Sequence, residues 1–164
     1  MNARDGPVLI AYDGSAASRR AVADAAKLMG SHRMLVVTVW EEGLAYATAA
    51  MPPDQTTMAP MVDAGVALDV DHELHRHAER VSRDGAELAR SLGVDAEPLA
   101  VPDDGGVPGT ILHEAREREA AAIVVGSRGL SGLRARLEGS TSKGLLKHAS
   151  CPVIVVHEPE EGDN

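Results

Sequence analysis

Apolar and polar positions alternate in blocks along this 164-residue chain. Pro7 to Tyr12 (PVLIAY) is a short unbroken apolar run suited to a buried parallel strand. Asp13-Gly14-Ser15 brings turn and capping chemistry, and the alanine-rich stretch Ser15 to Met29 predicts a helix closed by Gly30 as its C′ residue. Met34 to Trp40 (MLVVTVW) predicts a second strand. From about Val66 to Leu92 the residues Val70, Leu74, Ala78, Val81, Gly85, Leu88 and Leu92 recur at spacings of three and four. One long helix is expected there, stopped by Gly93. Ala96 to Val101 reads as a third, weaker strand, and Pro108 suits the first turn of a helix running to about Glu119. Ile123 to Val125 is the fourth strand, a helix follows Gly139, and Pro152 to Val156 is the fifth strand.

Strand and helix thus alternate from end to end, which predicts an α/β fold. Its form would be a single five-stranded parallel sheet, Rossmann-like, with right-handed crossovers and helices on both faces. Ligands of such sheets bind beyond the carboxyl ends of the strands, where the strand order reverses. Asp13, Trp40 and Gly126 all lie at or just past such an end. Convergence of the first and fourth strands would bring Asp13 close to the loop that Gly126 opens. One domain is expected over residues 1–157, and the tail EPEEGDN (158–164) reads as disordered and acidic. Residues 41–65 hold Ala, Met, Pro and Thr without periodicity, the composition of a lid, an interface arm or partial disorder. Met51, Met58 and Met61 there could pack on a partner or fold back over the domain.

Composition narrows the class. Hydrophobic residues make up 44% of the chain but there is no phenylalanine, so the core must be built from Val, Leu, Ile, Ala and Met. The lone Cys151 allows no intrachain disulfide, agrees with a reducing cytoplasm, and reads as a small buried hydrophobe. No apolar run approaches the roughly 20 residues needed to span a membrane, and the start MNARDGPV lacks a signal-peptide profile. A cytoplasmic protein with no membrane partner is expected. The net charge of −9 argues against non-specific nucleic-acid binding. Its distribution matters more: from Gly126 to Ala149, Arg128, Arg134, Arg136, Lys143 and Lys147 face only Glu138. That leaves a local +4 on a chain whose remainder carries −13.

The same basic island carries the chain's most specific motif, GSRGLSGLRARLEGST (126–141). Gly126, two residues, Gly129, nine residues, Gly139, then Ser140 and Thr141 is a spacing that exposes backbone N–H groups after a strand. A helix starting near Gly139 would add its own unpaired N–H groups, and together these form a seat for a polyphosphate. Gly126 and Gly129 would permit positive φ and close backbone approach to the ligand. Ser140, Thr141 and Ser142 offer hydroxyls at a helix N-terminus, and Arg128, Arg134 or Arg136 would neutralise phosphates. The bland alternative is a strand–loop–helix turn with ordinary capping. For Asp13 the corresponding alternative is an N-cap.

The start VLIAYDGS, the 126–141 spacing and the ending SKGLLKHASCPVIVV together resemble the universal stress protein family over nearly the whole chain. That resemblance implies a five-stranded adenine nucleotide alpha-hydrolase-like sheet, usually dimeric, in the branch that binds ATP with Mg2+. It places Asp13 by the ribose and the backbone near Ala11 and Val39 beside the adenine. The loop from Gly126 through Ser127, Arg128 and Gly129 to Gly132, with Gly139 and the Ser140-Thr141-Ser142 helix start, would hold the phosphates. The bulky Trp40 departs from the family pattern: it could stack on the base or cap the core and narrow the pocket. Similar proteins pair through the last strand, and the apolar edge 152–156 suits a homodimer.

Three function classes remain: a nucleotide-dependent regulatory or stress-response protein, an ATP-using enzyme such as a slow ATPase, and a nucleotide-free dimeric interaction module. No Walker loop is present, and no residue set is committed to activating water, so no catalytic residue is assigned. His72, His75 and His77 in DHELHRH miss the H-E-x-x-H spacing of a helix-borne zinc site and read as solvated.

Overall fold

The computed structural model describes residues 6–43, 64–127 and 140–157. The candidate loop residues Arg128, Gly129, Gly132 and Gly139, most of the 41–65 interval and the tail 158–164 lie outside them. The described elements are β1 (Val8–Ala11), α1 (Ala16–Met29), β2 (Met34–Trp40), α2 (Ala64–Ser91) and β3 (Ala96–Pro102). They continue with α3 (Val107–Glu117), β4 (Ala122–Gly126), α4 (Ser140–His148) and β5 (Val153–Val156). All five strands are parallel, in the order β3-β2-β1-β4-β5. β1 is central, with Val8 paired to Met34 on one side and to Ala122 on the other. The chain first builds outward through β2 and β3, then crosses to β4, so the order reverses between β1 and β4.

The period of two along each strand splits the core into two layers. Val8, Ile10, Tyr12, Met34 and Val36 pack with Ala21, Val22 and Ala25 of α1 and Ala86 and Ala89 of α2. Leu9, Ala11, Leu35, Val37, Ile123 and Val125 pack on the other face with Ile111 and Leu112 of α3 and Leu145 of α4. Small residues let α2 lie close on the sheet. A Cβ on Gly85 would come within 2.7 Å of Val36 and 2.8 Å of the Tyr12 ring.

Helix ends follow local chemistry. Ser15 caps α1, its Oγ accepting the Ser18 N–H at 3.1 Å. Gly30 departs from the expected C′ role: its φ of −62° is right-handed. The position excludes a side chain instead, because a Cβ would sit 2.6 Å from the Ala26 carbonyl oxygen. Gly93, at φ +84°, does turn the chain out of α2 in the left-handed region. With 28 residues, α2 is about 42 Å long against about 23 Å for β2, so it overhangs the sheet. Its buried positions accordingly begin at Ala78, while Val66, Leu68 and Val70 are exposed.

The two sheet edges differ. β3 carries Pro98 and Pro102, which cannot donate to a further strand, and Glu97 pairs with Arg33 at 3.2 Å. β5, the opposite edge, is Val-Ile-Val-Val with its first three residues only half-buried.

Candidate functional site

Strands β1, β2 and β4 deliver their carboxyl ends side by side, which joins Asp13, the Val39–Trp40 exit and Gly126–Ser127 along one rim of the sheet. The Tyr12 N–H donates to the Val37 carbonyl at 2.8 Å. The Thr38 hydroxyl, buried, donates to the Tyr12 carbonyl at 2.9 Å. β1 is therefore tied to β2 past its last ladder pair, just where it turns toward Asp13. Thr38 was not among the residues singled out by the sequence; its signal is that it is the one polar side chain in MLVVTVW.

Beyond Tyr12 the chain makes a compact turn. The Asp13 carboxylate accepts the Ser15 N–H at 2.9 Å, Gly14 adopts φ +80°, and the Ser18 hydroxyl accepts the Asp13 N–H at 3.4 Å. Ser15, not Asp13, is the N-cap of α1. The carboxylate thus braces the turn in front of the helix, half-buried at the rim. Ala11 is buried and Val39 half-buried, both on the face covered by α3 and α4.

Gly126 needs its lack of a side chain for a reason different from the expected one. Its φ is not in the left-handed region, and a Cβ would meet Ala17 of α1, 2.9 Å from the carbonyl carbon and 3.0 Å from the oxygen. The close approach at this residue among the described residues is to the first helix. Ser127 follows, half-buried, its N–H donating to the Val156 carbonyl at 2.8 Å. That backbone donor is therefore already engaged in holding β5.

Helix α4 starts at Ser140, with Thr141 half-buried and Ser142 buried. It connects two parallel strands and so runs antiparallel to them, which brings its N-terminus to the same rim as Asp13 and Ser127. The first N–H groups of a helix have no acceptor within it, so this end is electropositive. α4 lies tight on α3: a Cβ on Gly144 would be 2.9 Å from Pro108. Among the described residues no group of three or more His, Cys, Asp or Glu is arranged to hold a metal.

Tyr12 at the rim, and Cys151 at the opposite, amino end of β5, have displaced proton affinities. Burial pushes the Tyr12 phenol above its usual range, Arg19 opposes this and Asp84 and Asp13 reinforce it, and the hydroxyl has no hydrogen-bond partner among the described residues. Burial also pushes the Cys151 thiol up, and Cys151 packs against the core as a small hydrophobe. Trp40 does not point to the Ala11–Val39 face. It shares the strand parity of Met34 and Val36 and stacks on His75 of α2, ring centroids 5.2 Å apart and planes at 21°.

Comparison with known proteins fits this geometry. The family description "Universal stress protein family" matches residues 6–157. Universal stress protein YxiE of Bacillus subtilis is 29% identical over 149 residues, covering 91% of this chain and 97% of that protein. A universal stress protein of Thermus aquaticus, encoded in the QAH/OAS sulfhydrylase 3′ region, is 31% identical over 151 residues, with coverage of 91% and 96%. Among solved structures, UspA of Lactobacillus plantarum superposes with a TM-score of 0.69 at 22% identity, covering 94% of this chain and 99% of that one. An Arabidopsis thaliana family member with AMP bound gives 0.61 at 18% identity, covering 95% and 94%. An Archaeoglobus fulgidus universal stress protein in complex with dAMP gives 0.58 at 20% identity, covering 92% and 97%. The fold is that of the adenine nucleotide alpha-hydrolase-like proteins. No helix among the described residues is long and apolar enough to cross a membrane. From the match over residues 6–157 and these relatives, the chain belongs to the universal stress protein family.

Proposed function

We propose that this protein binds ATP with Mg2+ at the rim formed by β1, β2 and β4, and serves as a nucleotide-dependent regulator of a stress response in the cytoplasm. The observation that carries the proposal is the reversal of strand order between β1 and β4. It sets the Asp13 turn, Ser127 and the N-terminus of α4 on one rim, and the glycine spacing 126–139 lies in the connection between them. AMP and dAMP in the two structural neighbours support an adenine nucleotide.

The donor set suits the ligand. Asp13 would accept from the ribose, the backbone at Ala11 and Val39 would flank the adenine, and Gly126 would serve by keeping the strand end tight against α1. Gly129, Gly132 and Gly139 would let the backbone approach the phosphates, Arg128 would counter their charge, and Ser140, Thr141 and Ser142 would supply N–H and hydroxyl donors. Mg2+ would arrive on the phosphates, keeping much of its water shell, as this ion commonly does. Such a seat stabilises the bound ground state. Rate enhancement requires groups that bind the transition state more strongly, so hydrolysis should be slow or absent.

A homodimer through β5 belongs to the same proposal. The β3 edge is blocked by two prolines, whereas β5 is apolar throughout, half-buried over its first three residues, and has no strand on its outer side among the described residues. Calorimetric titration of nucleotide-stripped protein with Mg-ATP tests the site. Saturable binding in the wild type and its loss in Gly129→Val, with the far-UV spectrum unchanged, is the expected outcome; equal affinity in both would overturn the phosphate assignment.

A further inference from the structure

The exit of β2 is held to the overhanging half of α2 by two contacts that sequence distance conceals. Trp40 stacks on His75. Three residues on, the Gly43 N–H donates to both oxygens of Asp71, at 3.1 Å each. Asp71 and His75 are one turn apart on α2, so they grip the two ends of the segment Trp40–Gly43. The Trp40 Nε1 is buried without a hydrogen-bond partner among the described residues, and the ring stack on His75 is what ties the indole to α2 there. Val39, its immediate neighbour, faces the opposite side of the sheet. Any rotation of the β2 exit that frees Trp40 must therefore swing Val39.

We infer that His75 is a positioning residue for the nucleotide site: through the stacked Trp40 it fixes the β2 exit, and it grips harder when its imidazole is protonated. The inference rests on the proposed nucleotide site. Histidine is the side chain whose ordinary charge change falls between about pH 5 and 8. A cation at 5.2 Å over an indole lies within the roughly 6 Å reach of a cation–π contact. Charged groups face His75 from both α2 and the β2 exit. The Glu79 carboxylate is 3.7 Å from His75 Nε2, and Asp71 stands one turn before it. Arg76 is engaged by Glu73 at 2.8 Å, and Glu73 also takes Arg80 at 3.2 Å. Asp69 and His72 share an open cleft with His75 and Arg76, and Glu41 and Glu42 follow Trp40 from the β2 side, both exposed. Among the described residues lining that cleft, His72 would gain opposing charge in acid, which makes it the control.

Trp40 is the only tryptophan in the chain and so reports on the stack directly. Wild type, His75→Ala, His75→Phe and His72→Gln would be followed by Trp emission and by calorimetric titration with Mg-ATP at pH 8.0 and 5.5. ATP's own protonation is common to all four and cancels in ratios between variants. Wild-type emission should dim in acid, as imidazolium quenches indole, and His72→Gln should behave alike; His75→Phe should be flat with pH. ATP affinity in His75→Ala should fall at both pH values, and by roughly two- to fivefold at pH 5.5, the scale of an exposed cation–π contact. His75→Phe should restore it at pH 8.0 and lag wild type at pH 5.5. ATP bound equally by wild type and His75→Ala at both pH values would overturn the inference and leave the nucleotide site standing. No ATP binding by the wild type would overturn both.

Discussion

One added methyl group at Gly126 should loosen the first helix before any ligand is involved. In Gly126→Ala the new Cβ would lie 2.9 Å from the Ala17 carbonyl carbon and 3.0 Å from its Cβ and oxygen. Carbon contacts are comfortable at about 3.5–4.0 Å, so α1 must retreat by roughly 0.5–1 Å. Two of the three opposing atoms are backbone, and Ala17, Ala21 and Val22 behind them are buried, so a rotamer change cannot relieve the clash. Overpacking of this kind costs about 1–3 kcal/mol. Loss of glycine's freedom in the unfolded chain offsets about 0.4–1 kcal/mol, leaving a net destabilisation of about 1–2 kcal/mol. With a urea m-value of about 1–3 kcal/mol/M, the unfolding midpoint of nucleotide-free protein should drop by about 0.5–1 M with m unchanged. Circular dichroism during urea unfolding reads this. A midpoint within about 0.2 M of wild type, combined with lost ATP binding, would refute the packing role and restore Gly126 to the ligand.

Thr38→Val should cost about 1–2 kcal/mol in the same assay, because it strips the Tyr12 carbonyl of a buried donor; an unchanged midpoint would mean that bond contributes nothing. Ser15→Ala removes the α1 N-cap and should cost about 1 kcal/mol by thermal or urea unfolding. Val155→Lys should shift a wild-type dimer toward monomer in sedimentation at micromolar concentration, and a variant dimer as tight as wild type would rule out the β5 interface. Cys151 should alkylate slowly in the folded protein near neutral pH and faster on unfolding. Burial raises the thiol's pKa, so the reactive thiolate is scarce until the pH climbs past the ordinary thiol range.

Much of the fold is legible in the sequence because its signals are local. MLVVTVW marks β2 from Met34 to Trp40 exactly as folded, and the three-and-four spacing around Leu74 to Leu88 marks α2. Asp13 and the start of α4 reach one rim because alternation of strand and helix leaves a parallel sheet few alternatives. What the sequence hides is contact between distant segments. Gly126 looked like a ligand-approach glycine because its neighbours are glycines and serines; that α1 returns to lie on it depends on the packing of the whole layer. Gly30 sat where a left-handed cap belongs, yet the helix ended right-handed against its own carbonyl. Trp40 stands at a strand end where a base could stack, and strand parity turns it to His75. Thr38 carries a local signal, a lone hydroxyl in an apolar strand, but its partner, the Tyr12 carbonyl, lies 26 residues away.

The central claim is that the rim of β1, β2 and β4 holds an adenine nucleotide. Equilibrium dialysis of nucleotide-stripped protein against Mg-ATP, with mass-spectrometric identification of what remains bound, tests it most directly. Saturation at one adenine nucleotide per chain, lost in Gly129→Val, is the predicted result. Absence of saturable binding up to millimolar Mg-ATP, in protein whose circular dichroism shows the folded α/β domain, would contradict it.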